Sequence, residues 1–133
     1  MSTAPLPRSS TKLSRLIGFA VTTKPEEARK FYEEKLGFRF IKDDGFALVF
    51  HANGSLLRIS KMQNFTPAQH TVLGWEIDDI ENAVKDLNRR DVVFERYPGM
   101  PQDHNAICSF EGGDRVAWFK DPDGNVLSLS QHV

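Results

Sequence analysis

The chain has 133 residues, 40% of them apolar and 26% charged, a composition that fits one folded domain and excludes a disordered or membrane-embedded chain. Seventeen basic residues against eighteen acidic ones leave a formal net charge of −1, so no overall positive field draws in nucleic acid or an anionic membrane surface. The lone Cys108 has no intramolecular disulfide partner, and no apolar run forms a signal core or approaches the ~20 residues of a membrane span, so the expected location is the cytoplasm.

Residues 1–12 are rich in Ser, Thr and Pro and read as a flexible leader ahead of one domain over residues 13–133. Ile17, Phe19 and Val21 alternate with Leu16, Gly18 and Ala20 at the period of a first strand. A helix follows, with Pro25 in its first turn, Glu26 and Glu27 at its positive end, and Ala28, Phe31, Tyr32 and Leu36 at helical spacing until Gly37 stops it. Three strands, near 38–42, 46–51 and 55–61, are separated by Asp43-Asp44-Gly45 and Asn53-Gly54 and complete a first module over residues 13–61.

A connector over residues 62–69 leads to a second module over residues 70–133, in which the same order returns. It has a strand near 71–77, a helix starting at Asp78-Asp79 with the stripe Ile80, Ala83, Val84 and Leu87, and runs near 92–96, 115–120 and 126–131. Gly18-Phe19 falls on Gly74-Trp75, and Gly54 with Leu56-Leu57 falls on Gly124 with Val126-Leu127, so the chain is a duplication whose halves are expected to close around a shared space.

Phe31-Tyr32-x-x-x-Leu36-Gly37-Phe38 and the run Ala117 to Asn125, with its Asp-Pro-Asp-Gly-Asn turn, resemble signatures of the vicinal oxygen chelate superfamily, which includes glyoxalases, bleomycin resistance proteins and dioxygenases. The resemblance implies an α+β fold of two βαβββ modules, curved mixed sheets around a cleft, and a homodimer. It also implies that metal-dependent members carry a ligand on the first and fourth strands of each half. Those positions here are Leu16, or Ile17 with a one-residue gap, and Arg58, Val72 and Ser128. Aliphatic side chains and a guanidinium do not ligate metals, so no metal and no cofactor is expected.

Alternation puts Arg58 and Glu76 inside the cleft, paired with each other or with a ligand's opposite charge. With them, Ser128, Trp118 and His70 are the candidate ligand-binding residues, although His70 reads more simply as the surface start of a strand and the facing of Trp118 is open. Trp75 falls on the helix side. Residues 98–114 form a long loop of the kind used as a lid or binding loop, with Cys108 a small buried residue. Asp121, Asp123 and Asn125 alternate like the opening of a calcium loop but lack its distal Glu, which favours a structural turn.

The function expected from these features is metal-free binding of a small organic molecule, such as sequestration of a drug or metabolite, with no nucleic-acid or membrane partner. The alternative is an enzyme of the same superfamily, using acid–base chemistry without a metal, or a metal-dependent lyase or dioxygenase if the ligand positions are displaced in sequence.

Overall fold

The computed structural model describes residues 11–133; the expected leader lies outside the described residues except for Thr11 and Lys12. The elements are β1 (Ile17–Thr22), α1 (Pro25–Lys30) continued by a π-helical turn (Phe31–Lys35), β2 (Arg39–Asp43), β3 (Ala47–Ala52) and β4 (Ser55–Lys61). After the connector come β5 (Thr71–Glu76), α2 (Ile80–Arg89), β6 (Cys108–Ser109), β7 (Arg115–Lys120) and β8 (Val126–Gln131). They form two four-stranded mixed sheets of order β1-β4-β3-β2 and β5-β8-β7-β6.

Local chemistry explains the helix boundaries. Pro25 opens α1, with Glu26 and Glu27 in the first turn and Arg29 and Lys30 in the last, which suits the helix dipole at both ends. The wider π turn leaves the adjacent Phe31 and Tyr32 both buried, and Gly37, at φ +76°, reverses the chain where a side chain would be strained. Asp79 caps α2 by accepting the Asn82 amide at 3.2 Å, while Ile80, Val84 and Leu87 face inward.

The second module departs from the expected strand near 92–96. Only Phe94 pairs, opposite Phe119, with the Glu95 amide donating to the Trp118 carbonyl at 2.8 Å. Proline at position 98 ends any ladder there, and the Tyr97 amide turns instead to the Gln102 side chain at 2.8 Å. The outer strand is supplied by β6, inside the expected loop, where Cys108 pairs with Val116. The rest of that loop is tied down: the Gln102 side-chain amide donates to the carbonyls of Glu95 and Ala106, and Arg96 donates to those of Asp103 and His104.

One core joins the two modules. Tyr32 packs on Phe50 of β3 with ring centroids 5.8 Å apart, while its neighbour Phe31 packs on Phe119 of β7 at 6.3 Å. Each of those strands is third from its sheet's β1 or β5 edge, so side by side in one continuous sheet they would lie about 24 Å apart, five strand spacings. The helix-bearing faces of the two sheets therefore turn toward each other across α1, and their bare faces point outward.

The Asp121-to-Asn125 turn holds the modules together. Asp121 accepts the Tyr32 hydroxyl at 2.6 Å and the Asn125 side-chain amide at 2.8 Å, and that amide also donates to the Val21 carbonyl at 2.9 Å. Asp123 accepts the Thr22 hydroxyl and the Thr23 amide and hydroxyl. Every one of these carboxylate oxygens is engaged by protein donors, so the turn acts as a clamp between modules.

Candidate ligand-binding site

Strand register decides which residues line the bare faces. In the first module Phe19 lies opposite Arg58, and Arg58 opposite Val49; in the second, Gly74 lies opposite Ser128, and Ser128 opposite Trp118. Phe19 is thus the structural counterpart of Gly74, and the matching of Gly18 with Gly74 is one residue out of step. Gly18 looks into the core, where a Cβ would sit 3.0 Å from Leu73 Cδ2, so its missing side chain lets the modules approach. Because the side-chain period of a strand is two, that one-residue slip exchanges faces. Ile17 takes the bare-face position, whereas Leu16 lines a cavity on the other side. Val72 is the extra residue of a bulge and packs against the core.

The candidate residues divide between the two faces. Arg58, on the first sheet, donates to Asp44 at 2.8 Å instead of pairing with Glu76. The amides of Phe46 and Ala47, followed by the Arg58 guanidinium, hold the Asp44 carboxyl down at about 2. On the second sheet, Glu76 is exposed and makes no ion pair among the described residues, Ser128 is nearly buried beside Gly74, and Trp118 is half-buried. Trp118 meets Tyr97 edge-on, with ring centroids 5.6 Å apart. His70 is exposed just ahead of β5. Trp75 packs on Phe38 at 5.2 Å, on the helix side as expected, and Cys108 is buried.

A metal centre does not fit these positions. Ile17, Val72, Arg58 and Ser128 offer a single hydroxyl between them, and among the described residues no group of three His, Cys, Asp or Glu side chains converges as metal ligands would.

The concave space within one chain lies elsewhere, on the helix side of the seam between modules. It is a cavity of about 510 Å³, walled by Leu36, Phe38, Leu73, Trp75, Ala83 and Leu87. Of the five candidate residues only Glu76 lines it, joined by Asp86, Asn53 and Ser55. Sequence periodicity gave each apolar wall residue a core role and carried no signal that the two modules would leave space between them. One hint was Ala83, a small residue in the apolar stripe of α2.

Residues 16–129 match the profile of the Glyoxalase/Bleomycin resistance protein/Dioxygenase superfamily. Comparison with curated proteins gives no match. Among solved structures, a member of the same superfamily from Sphaerobacter thermophilus is similar at 22% identity and TM-score 0.70, covering 89% of this chain and 96% of that one. An antibiotic binding protein from Streptomyces sp. CB03234 is similar at 21% identity and TM-score 0.68, covering 95% of this chain and all of the other. A lactoylglutathione lyase from Agrobacterium tumefaciens is similar at 13% identity and TM-score 0.69, covering 91% and 95% of the two chains. At these identities the likeness is one of fold, and it is shared by an antibiotic binding protein and a lyase. With a profile match over most of its length, and the same two-module architecture, the chain belongs to the glyoxalase/bleomycin resistance protein/dioxygenase superfamily.

Proposed function

We propose that this protein binds and sequesters a small organic molecule without a metal, and that it works as a homodimer in which a second subunit covers the bare sheet faces. The observation that carries the reading is chemical. Side chains at all four family ligand positions are aliphatic, cationic or a lone hydroxyl, and a fixed guanidinium repels a cation. An antibiotic binding protein and a lyase share the fold, so the fold serves binding as well as turnover.

Elemental analysis and melting temperatures with zinc, nickel, manganese and iron test the metal-free part. We expect no stoichiometric transition metal and no saturable rise in melting temperature, since a ligand that binds only the folded state must raise it. Near one equivalent of bound metal would overturn the reading. A second reading, metal-free acid–base catalysis, is favoured by one observation, the exposed Glu76 carboxylate, which makes no ion pair among the described residues. Turnover of a bound molecule that disappears in Glu76→Gln would establish it instead.

A further inference from the structure

Where β8 ends, three polar side chains stand in a relay. Ser130 and His132 follow Ser128 at the two-residue period of the strand, so both project on the bare side of the second sheet, at its rim. The His132 ring bridges two neighbours: Nε2 lies 2.9 Å from Ser130 Oγ, and Nδ1 lies 3.2 Å from Asp114 Oδ2. The carboxylate favours a proton on Nδ1, which leaves the Nε2 lone pair to accept the Ser130 hydroxyl. Asp114 is itself fixed. Its other oxygen accepts the Val133 amide at 3.1 Å, and that amide, followed by His132, holds the carboxyl below its ordinary value. The segment that carries His132 is seated on the turn before β7, where Gly113 lacks the Cβ that would sit 2.9 Å from Val133 Cγ1.

We propose that Ser130 is a nucleophile for acyl transfer, with His132 as its general base and Asp114 as the positioning residue, and that its substrates are neutral aryl esters. Hydroxyl, imidazole and carboxylate joined in that order through both ring nitrogens are what nucleophilic catalysis asks of three side chains. In the first step Ser130 Oγ bonds to the acyl carbon while its proton passes to His132 Nε2. The bond to the aryloxy oxygen then breaks, and His132 gives that proton to the departing phenolate. Water next gives a proton to the same nitrogen and attacks the acyl-serine; the carboxylic acid leaves and Ser130 regains its proton. Backbone amides around Ser130 are taken up by the sheet ladders on both sides, so an oxyanion gains little help and the leaving group must be a good one, a phenolate. Trp118, diagonal to Ser130 across the β7–β8 ladder at roughly 7–8 Å, offers a surface for the aryl ring. Glu76, opposite Ser130 on β5, repels anionic esters. The inference is independent of the binding reading, which stands or falls by metal content.

Diisopropyl fluorophosphate and 4-nitrophenyl acetate test it on the full chain. The fluorophosphate is expected to bond to Ser130, located by peptide mass mapping of the unmodified protein, which needs no variant to fold. The same labelling should stop release of nitrophenolate from the acetate. Ser130→Ala should abolish both reactions. His132→Ala should slow them roughly 100-fold, the lower end of what a positioned base contributes, and added imidazole should restore part of the loss. Asp114→Asn should lower kcat for the acetate and leave KM unchanged, a split that partial unfolding does not give. Urea midpoints check that each variant folds. The inference is overturned if the unmodified chain is not labelled, if the label maps to another residue, or if nitrophenolate release persists in Ser130→Ala. It is also overturned if imidazole fails to restore His132→Ala that folds as the unmodified chain does.

Discussion

Tyr32 is fully buried, and its hydroxyl donates to a carboxylate that also accepts the amides of Asp123 at 3.0 Å and Asn125 at 2.9 Å. Tyr32→Phe therefore removes one of several donors to Asp121 and leaves a charge under-satisfied at a buried site. A loss of about 1.5–3 kcal/mol is expected, the usual value of a hydrogen bond to a charged group, seen as a lower urea midpoint at unchanged slope. Burial, and then the charge of Asp121, raise the Tyr32 phenol well above its ordinary value. Below about pH 10 both folded and unfolded chains keep this proton. Above it the unfolded chain ionises first, so stability falls as pH rises. In Tyr32→Phe that part of the alkaline decline should be absent from urea midpoints measured across this range.

Among the elements, pairing of β5 with β8 depends on a small residue meeting an absent side chain. A Cβ at Gly74 would lie 2.6 Å from Ser128 Oγ, closer than unbonded atoms approach. Gly74→Ala should cost about 1–3 kcal/mol by overpacking, and Gly74→Ala with Ser128→Ala should recover most of it, because the obstructing atom is the hydroxyl. Chemical denaturation of both single variants and the double variant measures the coupling; additive losses would mean that the backbone, not the hydroxyl, resists the methyl. The helix starts at Pro25 and Asp79 and the strands 55–61, 115–120 and 126–131 were legible because capping residues, turn residues and alternation act within a few neighbours. The strand expected near 92–96 was not. Its composition suits a strand, but pairing needs a partner edge, and β6 takes that edge of β7 at Arg115 and Val116, leaving the segment a single bridge from Phe94 to Phe119.

For the whole molecule, each bare face is open in one chain, and the neighbouring edge strands β1 and β5 share no ladder. Leu16, Ile17 and Phe19 are 75%, 41% and 60% exposed, an apolar patch along an unpaired edge of the kind that a second subunit covers. Light scattering is expected to give a dimer mass at micromolar concentration, and Phe19→Asp to shift it toward monomer. A monomer mass for the unmodified chain would remove the dimer from the proposed function.

By itself the sequence determined the two-module order of elements, the α+β class and the turn at Asp121 to Asn125, since each depends on residue types at short spacing. Only the tertiary structure decided how the modules meet. It showed that Arg58 is held by Asp44, that Arg58 and Glu76 stand on different sheets, and that apolar residues of both modules wall a cavity at their seam. The reason is physical. Alternation assigns a residue to one of two sides of a strand, but which side faces solvent, a helix or another module depends on packing between elements far apart in sequence. A one-residue offset such as that between Gly18 and Gly74, with the bulge at Val72, exchanges the sides altogether.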